Sequence, residues 1–600
     1  MAVNPVIICL SRSGEKTAHK IAQAFGFAVH GRKTRVDHAD AYFDYALDHI
    51  RVLFAAKTPV IGVCASGILI RAVAPLLHDK TAEPPVISVA DDGSVVVPLL
   101  GGHRGANRLA KKLAGLLSGQ AAVTTAGDVA MGVALDEPPL GWRLANPENA
   151  KAVMAGLLSG GGARIEGENI WGLEPDPNGF AALVTTEKPH KGDDMTLVYH
   201  PQKYTLGVGC ARNCDPQEMW DLVQTTLAEN NIAAGAIAAI GSLDLKADEP
   251  AINTLAKRLG VPFRVFTATE LEAYADHLPN PSDVVFAEVG CHGVSEAAAL
   301  VLGDTDATLK VTKHKTKNAT CALAVSNQPV TELTGRLRGK LSIIGIGPGQ
   351  ASWRTPEASQ LVAEAQELVG YGLYIDLLGP LAFGKKRSDF HLGKEEDRCR
   401  YALEQAALGK NVALICSGDA GIYAMGALVF ELMDRSADAL GVSDAAHRVE
   451  IKCTPGVSAL QGAAARAGAP LGHDFCAISL SDLLTHREDI IKRLQAAALG
   501  DFVIAFYNPV SKRRRTLLAE ARDILLQHRP KDTPVMLARS LGRDDESIRY
   551  VELADLKVDD VDMMTVVLVG SSNSKLAQLG EGPRMYTPRG YARKIDGDLS

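Results

Sequence analysis

The chain has 600 residues, too many for a single hydrophobic core, so several domains are expected. Hydrophobic residues make up 46% and charged residues 22%, as in an ordinary globular protein, and a net charge of −7 leaves no basic footprint for general nucleic-acid binding. No uninterrupted apolar run approaches the roughly 18 residues of a membrane span, so a cytoplasmic protein is expected, with any anionic substrate held by local basic clusters.

The first apolar run, Val6–Leu10, is too short for the core of a signal peptide and reads as a buried strand. Strand-like runs then alternate with helix-like stretches, which argues for α/β units with parallel sheets and crossover helices. "GVCASGILIRAVAPLLHDK" (62–80) ends a strand in a small-residue turn and enters a helix, with Arg71 expected in its first turns and Lys80 closing the stretch. "LLGGHRGANRLAKKLAGLL" (99–117) repeats the pattern, with His103 in the turn and Asn107 opening the helix; "VTTAGD" (123–128) adds Thr124, Thr125 and Asp128. If the strand C-terminal ends gather in one crevice, His103 beside Asp128 suits acid–base chemistry, and Arg71 with Lys80 suits a polyanionic ligand. Each has a plainer reading: a structural His in a glycine turn, a helix-capping Asp, two surface cations.

A glycine run at 160–162 marks a change of subdomain, and a fresh α/β unit starts near Tyr204. Cys210 and Cys214 in "GCARNC" are the closest pair among ten scattered cysteines; no further ligands follow at metal-site spacing, so no metal is expected. "GCHGVSEAAAL" (290–300) places Glu296 in a first helical turn, where an acid catalyses or simply complements the helix dipole. "KVTKHKTKNAT" (310–320) puts Lys313, Lys315 and Lys317 at alternate positions, on one face if extended, as ligand contacts or as a charged strand edge. The polar "NQPVTELTGRLRGK" reads as an interdomain linker.

"KLSIIGIGPGQ" (340–350) then reads like a second beginning, a strand followed by Gly345, Gly347 and Gly349. Gln350 occupies the last position of the dinucleotide fingerprint and Pro348 removes an amide donor, so pyrophosphate binding is disfavoured. Three later strands end in tight turns: Ser417-Gly418-Asp419, Pro455-Gly456 before Ser458-Ala459, and the Asn508-Pro509 turn; a late strand carries Thr565. Such turns line a crevice with amides, small side chains and one carboxylate, which suits an uncharged adenosine joined to an amino-acid zwitterion better than polyphosphate. "SKRRR" (511–515), with Arg513 at its centre, is either a clamp for carboxylates or a solvated helix face.

The ordered set GIGPG, SGDAGIYAM, TPGVSALQGAAARAGAPLGHDF and FYNP resembles the tetrapyrrole methylase family, and with GYGLYIDLL and MYTPRGY it is similar to the precorrin-3B C(17)-methyltransferase subgroup. The family's usual Gly-Asp-Pro is Gly418-Asp419-Ala420 here. The resemblance implies a two-lobed fold, S-adenosyl-L-methionine held by Ser417, Gly418, Asp419, Ile422, Ser458, Ala459, Asn508 and Thr565, and a tetrapyrrole faced by Gly347, Pro348, Gly349 and Tyr371. It also implies a homodimer through this half.

In the first half, GILIRAVAPLLHDK, LLGGHRGAN, TTAGD, GVGCARNC, GVSEAAAL and KTKNATCALA resemble the cobalt-precorrin-5A hydrolase family, the cobalamin biosynthesis protein G type. That resemblance implies opening of a δ-lactone on a corrinoid with loss of acetaldehyde. His103, Asp128 and Glu296 are the candidate catalytic residues, and Arg71, Lys80, Asn107 and Lys313 the candidate substrate contacts. The expected division is 1–135, 136–202 and 203–327 for the hydrolase units, 328–339 for the linker, 340–592 for the methyltransferase and 593–600 for a tail. A non-catalytic corrinoid-binding first half is the competing expectation, with a dinucleotide oxidoreductase third.

Overall fold

A computed structural model describes residues 3–79, 82–125, 132–511 and 515–591, without the side chains of His103 and Ala437. Among the described residues six sheets are formed. The alternation of buried apolar runs with amphipathic helices explains this: each run is flanked by a helix that covers one sheet face.

The first sheet has seven strands. Ala41–Phe43, Ala28–Arg32, Val6–Cys9, Val60–Val63 and Val86–Val89 run parallel in that spatial order, and Val95–Leu100 then pairs antiparallel to Val86–Val89. The reversal is made by a tight turn at Asp92-Gly93, where Gly93 has φ 76°. A second sheet lies in the 136–202 region, with Ala163–Glu166, Ala181–Thr185 and Thr196–Pro201 parallel and Trp142–Leu144 antiparallel at its edge. The third joins Tyr204–Cys210, Ile237–Leu243 and Phe263–Phe266 in parallel to an antiparallel hairpin, Thr308–Lys315 with Ala319–Val325. Helix Val294–Leu302 lies so close to this sheet that a Cβ on Gly207 would stand 1.8 Å from the Ser295 carbonyl oxygen.

The second half is two-lobed. Its first sheet is wholly parallel, in the order Lys386–Phe390, Glu367–Tyr371, Asn411–Cys416, Lys340–Gly345, Glu450–Thr454. Its second is mixed: Phe475–Ser479 and Val503–Tyr507 are parallel, while Thr565–Val569, Pro534–Arg539 and Ser547–Glu552 continue it antiparallel.

The halves are not beads on a string. Ile50, Leu53 and Phe54 of the first domain share one core with Leu361, Leu378 and Leu381 of the methylase lobe, all buried. Helix Ala46–Ala55 packs on the Gly379–Ala382 turn and on helix Pro356–Glu364. A fully buried Leu stabilises by about 2 kcal/mol relative to exposure, so several together overcome the default mobility of joined domains. The linker is pinned as well: Arg336 and Val265 exchange backbone hydrogen bonds of 2.8 and 3.0 Å, and Arg336 pairs with Asp244 at 3.1 Å. Among the described residues no helix is long and apolar enough to cross a membrane, and no group of three or more His, Cys, Asp or Glu is placed to hold a metal.

Candidate functional site

The expected cofactor residues converge. Strands Asn411–Cys416, Lys340–Gly345 and Glu450–Thr454 are neighbours, so their C-terminal ends bring the SGD, GPG and TPG turns side by side. Gly347 N donates to the Gly418 carbonyl at 3.1 Å, and Gly418 N returns a bond to Gly347 at 2.9 Å. Asp419 ties the third turn in: Oδ1 accepts from Gly421 N at 2.8 Å and Oδ2 from Gly456 N at 3.0 Å. A side chain at Gly456 is impossible, because a Cβ would stand 2.1 Å from the Gly418 carbonyl oxygen. Ser458 caps helix Ala459–Ala467 in a reciprocal box, with Gln461 Oε1 accepting from Ser458 N at 2.8 Å.

Between the lobes lies a cavity of about 190 Å³, lined by Ser417, Gly418, Asp419, Ile422, Ser458, Ala459, Asn508 and Thr565 together. Asn508 sits at φ 50° and its amide donates to Ser479 Oγ at 3.1 Å. Thr565 donates to Asp562 at 2.7 Å. Pro348 also lines the cavity; Gly347 and Gly349 flank it in the same loop, and Tyr371 packs edge-on against the lining Tyr374 at 5.2 Å. Arg513 lies outside the described residues.

Sequence reasoning missed Tyr374, Tyr423, Tyr507, Ser540 and Arg543, all on the same cavity. Tyr507 accepts from Leu460 N at 2.9 Å, Tyr423 donates to the Ala477 carbonyl at 2.9 Å, and burial raises the pKa of both phenols. Three of them stand inside quoted motifs, Tyr374 in GYGLYIDLL, Tyr423 in SGDAGIYAM and Tyr507 in FYNP, where the turn residues drew attention and the tyrosines did not; Ser540 and Arg543 lie in no quoted motif.

The lining holds one acid, Asp419, and one guanidinium, Arg543, among hydroxyls, amides and apolar groups. With the Gly456 cradle, where only bare backbone fits, this is a wall for an uncharged nucleoside and a small zwitterion, and among the described residues it offers a single cation, Arg543, where a polyphosphate needs several. The residues present therefore fit S-adenosylmethionine.

In the first half the expected crevice is arranged differently. Because Val95–Leu100 runs against Val86–Val89, the His103 turn (Gly102–Arg104) lies at the N-terminal edge of the parallel strands, opposite the Cys64 turn. The Arg71 stretch still approaches that edge, since helix Ser66–Val73 runs back along the sheet; Arg71 is in its last turn, not its first. Arg71 is exposed and donates to the Gly67 carbonyl at 3.0 Å. Arg104 reaches the Glu83 carbonyl at 3.4 Å, and Asn107 donates to Thr125 at 2.9 Å, so turns 83–85, 101–107 and 125 do meet. The His103 backbone sits between Gly101 (φ 75°) and Gly105 (φ 91°). Lys80 and Asp128 lie outside the described residues.

Glu296 is 1% exposed; Oε1 accepts from Asn280 Nδ2 at 2.8 Å and Lys313 N at 2.9 Å, and Oε2 from Asn280 N at 3.3 Å. Lys313 Nζ donates to the Asn280 carbonyl at 3.1 Å. Lysines 313, 315 and 317 do not share a simple face, because register shifts interrupt the pairing and the strand ends at Lys315.

Residues 340–557 match the tetrapyrrole (corrin/porphyrin) methylases, 48–128 the cobalamin synthesis G N-terminal domain and 204–324 the cobalamin synthesis G C-terminus. A precorrin-3B C(17)-methyltransferase of Sinorhizobium sp is 43% identical over 257 residues, covering 43% of this chain and 98% of that protein. The chain belongs to the tetrapyrrole methylases. A cobalt-factor III methyltransferase of Priestia megaterium is 41% identical over 258 residues, which span 43% of this chain and 46% of that protein, so the chain matches under half of that relative's length. The crystal structure of the methyltransferase CobJ is 39% identical, covering 42% of this chain and 100% of that one with a TM-score of 0.38. Tetrapyrrole methylases use S-adenosylmethionine, and both halves of this methylase carry domains of cobalamin biosynthesis.

Proposed function

We propose that the chain is a bifunctional enzyme of corrin-ring biosynthesis. In this reading residues 340–592 form an S-adenosylmethionine-dependent precorrin-3B C(17)-methyltransferase with ring contraction. The first half, divided at 1–135, 136–202 and 203–327 with a linker at 328–339, is a cobalt-precorrin-5A lactone hydrolase releasing acetaldehyde. The observation that carries the first assignment is the single cavity lined by Ser417, Gly418, Asp419, Ile422, Ser458, Ala459, Asn508 and Thr565.

When bound, S-adenosylmethionine supplies a methyl group on a sulfonium. The chain's own part is alignment: the Gly456 backbone and the Ser458 cap shape the pocket, Asp419 holds two turns in register, and Gly347, Pro348, Gly349 and Tyr371 present the facing wall to a precorrin or cobalt-precorrin. Arg513 is assigned to peripheral carboxylates. In the hydrolase half, His103 is assigned as base for the attacking water, with Asp128 and Glu296 assisting and glycine-turn amides stabilising the oxyanion. Arg71, Lys80, Asn107 and Lys313 are assigned to the substrate; for Glu296 and Lys313 the bonds above support a role through the Asn280 loop. A cytoplasmic homodimer through the methylase half completes the reading. Joining neighbouring steps keeps an unstable intermediate at high local concentration.

The full chain is to be given cobalt-precorrin-5A and assayed for acetaldehyde, beside a methyl-transfer control on the C(17) substrate. Release lost in His103→Ala with methyl transfer intact supports both activities. No release from the wild type while methyl transfer proceeds sinks the hydrolase and leaves a corrinoid-binding first half.

A further inference from the structure

Among the described residues the wall of the methylase cavity holds one guanidinium, Arg543, and one carboxylate, Asp419, and Asp419 is taken up by the Gly421 and Gly456 amides rather than by the arginine. Arg543 lines the cavity and is half-buried; its Nε donates to the Pro348 carbonyl at 3.2 Å, and neither Nη group has a partner among the described residues. The nearby acids are engaged elsewhere: Asp545 accepts from Ser540 at 2.9 Å and pairs with Arg539 at 3.4 Å, while Glu546 pairs with Arg466 at 2.7 Å. Asp544 is exposed and makes no ion pair with Arg543. Arg398, on helix Glu395–Ala407 of the same lobe, does not line the cavity. It is 2% exposed and pairs with no acid among the described residues; one Nη group faces the Met425 sulfur at 3.2 Å, the other donates to the His391 carbonyl at 3.1 Å, and Nε is buried without an acceptor.

Tyr374 lines the same cavity as Arg543. Burial raises the pKa of this phenol, and the positive charge of Arg543 opposes that rise. The position of Arg543 is fixed by contact: a Cβ on Gly349 would lie 2.6 Å from Gly542 C and 2.7 Å from Arg543 Cγ, so the glycine loop rests directly on the arginine turn. A guanidinium removed from water without a counter-charge is unfavourable, and an anion that arrives with two oxygens meets its fork geometry.

We propose that Arg543, with Tyr374 on the same wall, forms a carboxylate-binding subsite of the methylase cavity. The inference rests on the methylase reading above. The carboxylate belongs either to the periphery of the tetrapyrrole acceptor or to the amino-acid end of the cofactor, and the two sources separate experimentally.

The full chain and its Arg543→Gln and Arg543→Lys variants are to be titrated with three probes. These are uroporphyrin, a stable macrocycle with eight carboxylates; S-adenosylhomocysteine, one carboxylate on the nucleoside; and 5′-methylthioadenosine, the nucleoside with none. Arg543→Gln weakens at least one carboxylate probe by roughly tenfold or more, Arg543→Lys weakens it less, and methylthioadenosine stays within about twofold. Loss confined to uroporphyrin assigns the acceptor's carboxylate, and loss confined to S-adenosylhomocysteine assigns the cofactor's. Equal weakening of all three probes means a collapsed cavity and overturns the subsite, as does no change in any. A wild-type chain that binds neither nucleoside sinks the methylase cofactor reading itself, a result distinct from an unresponsive Arg543 variant.

Discussion

His30 and His49 hydrogen bond to each other, Nδ1 to Nε2 at 2.9 Å, where the first domain meets Phe383 of the methylase half. His49 also stacks on Phe43 at 4.3 Å, and both rings are buried. Burial pushes His30 down to about 4 and, with the neighbouring ring, His49 to about 3. Both folded-state values lie below the ordinary 6.5, so the unfolded chain binds more protons between these limits. Stability is therefore complete above about pH 6.5 and falls as pH drops through 6 and 5, by about 2 kcal/mol for one such ring at pH 5. Urea midpoints at pH 7.5 and 5.0 are expected to differ, and His49→Phe is expected to flatten the difference. An unchanged pH slope in that variant would remove the pair as its cause.

How much of this was legible in the sequence follows from what local pattern encodes. The GPG, SGD and TPGVS turns are short-range signals, each a strand end with the glycine its backbone needs, and they led directly to the cavity. Tyr374 stands within the quoted GYGLYIDLL motif, but local pattern does not tell which of its two tyrosines faces the cavity; Arg543 carries no mark, because it arrives from an element distant in the chain. The reversed strand Val95–Leu100 was a missed signal: Asp92-Gly93 between two apolar runs is a hairpin signature, and it moves the His103 turn to the other edge of the sheet. Just past the Val6–Leu10 run, Ser11 and Ser13 both donate to Asp91, at 2.8 and 2.5 Å, contacts between residues 80 and 78 apart that no local pattern encodes.

Gly456→Ala tests the cofactor cradle. The added methyl would stand 2.1 Å from the Gly418 carbonyl oxygen and 2.8 Å from Gly345 C, both backbone atoms that cannot rotate away. Overpacking of this kind costs about 1–3 kcal/mol, and it pushes apart the two turns that Asp419 joins. S-adenosylhomocysteine affinity is expected to fall by roughly tenfold or more, with a lower melting temperature. Gly580→Ala, which meets nothing within 4 Å, is the control and leaves both unchanged. Wild-type affinity in Gly456→Ala would show that the turns separate freely.

Glu296→Ala separates support from chemistry in the first half, on the hydrolase reading proposed above. The substitution removes the acceptor that Asn280 N, Asn280 Nδ2 and Lys313 N share; Asn280 is exposed and Lys313 half-buried, so water takes over part of the loss. The cost is therefore about 1–3 kcal/mol in all rather than for each donor, and a lower urea midpoint is expected at pH 7.5. Glu296→Gln retains one acceptor oxygen and is expected to lose less. If acetaldehyde release falls in step with stability across the two variants, Glu296 acts by positioning the Asn280 loop. Release abolished in Glu296→Gln at unchanged stability would instead place the carboxylate in the chemistry.

Gly335→Ala tests whether the linker is a strap rather than a tether. Gly335 has φ 73°, and a Cβ there would lie 2.6 Å from two carbons of the Phe266 ring. Beside it, Thr334 Oγ1 donates to the Val301 carbonyl at 2.6 Å, Arg336 pairs with Val265, and Arg338 Nε donates to the Arg448 carbonyl at 2.8 Å. One clash therefore loosens a run of bonds that joins the sheet carrying Phe263–Phe266 to the methylase lobe. Limited proteolysis is expected to cut the variant within 328–339 at least several-fold faster than the wild type, while the shared Leu53–Leu381 core keeps the first domain docked. Equal cleavage rates would mean that the linker's own bonds do not hold the junction, and that the apolar interface alone fixes the two halves.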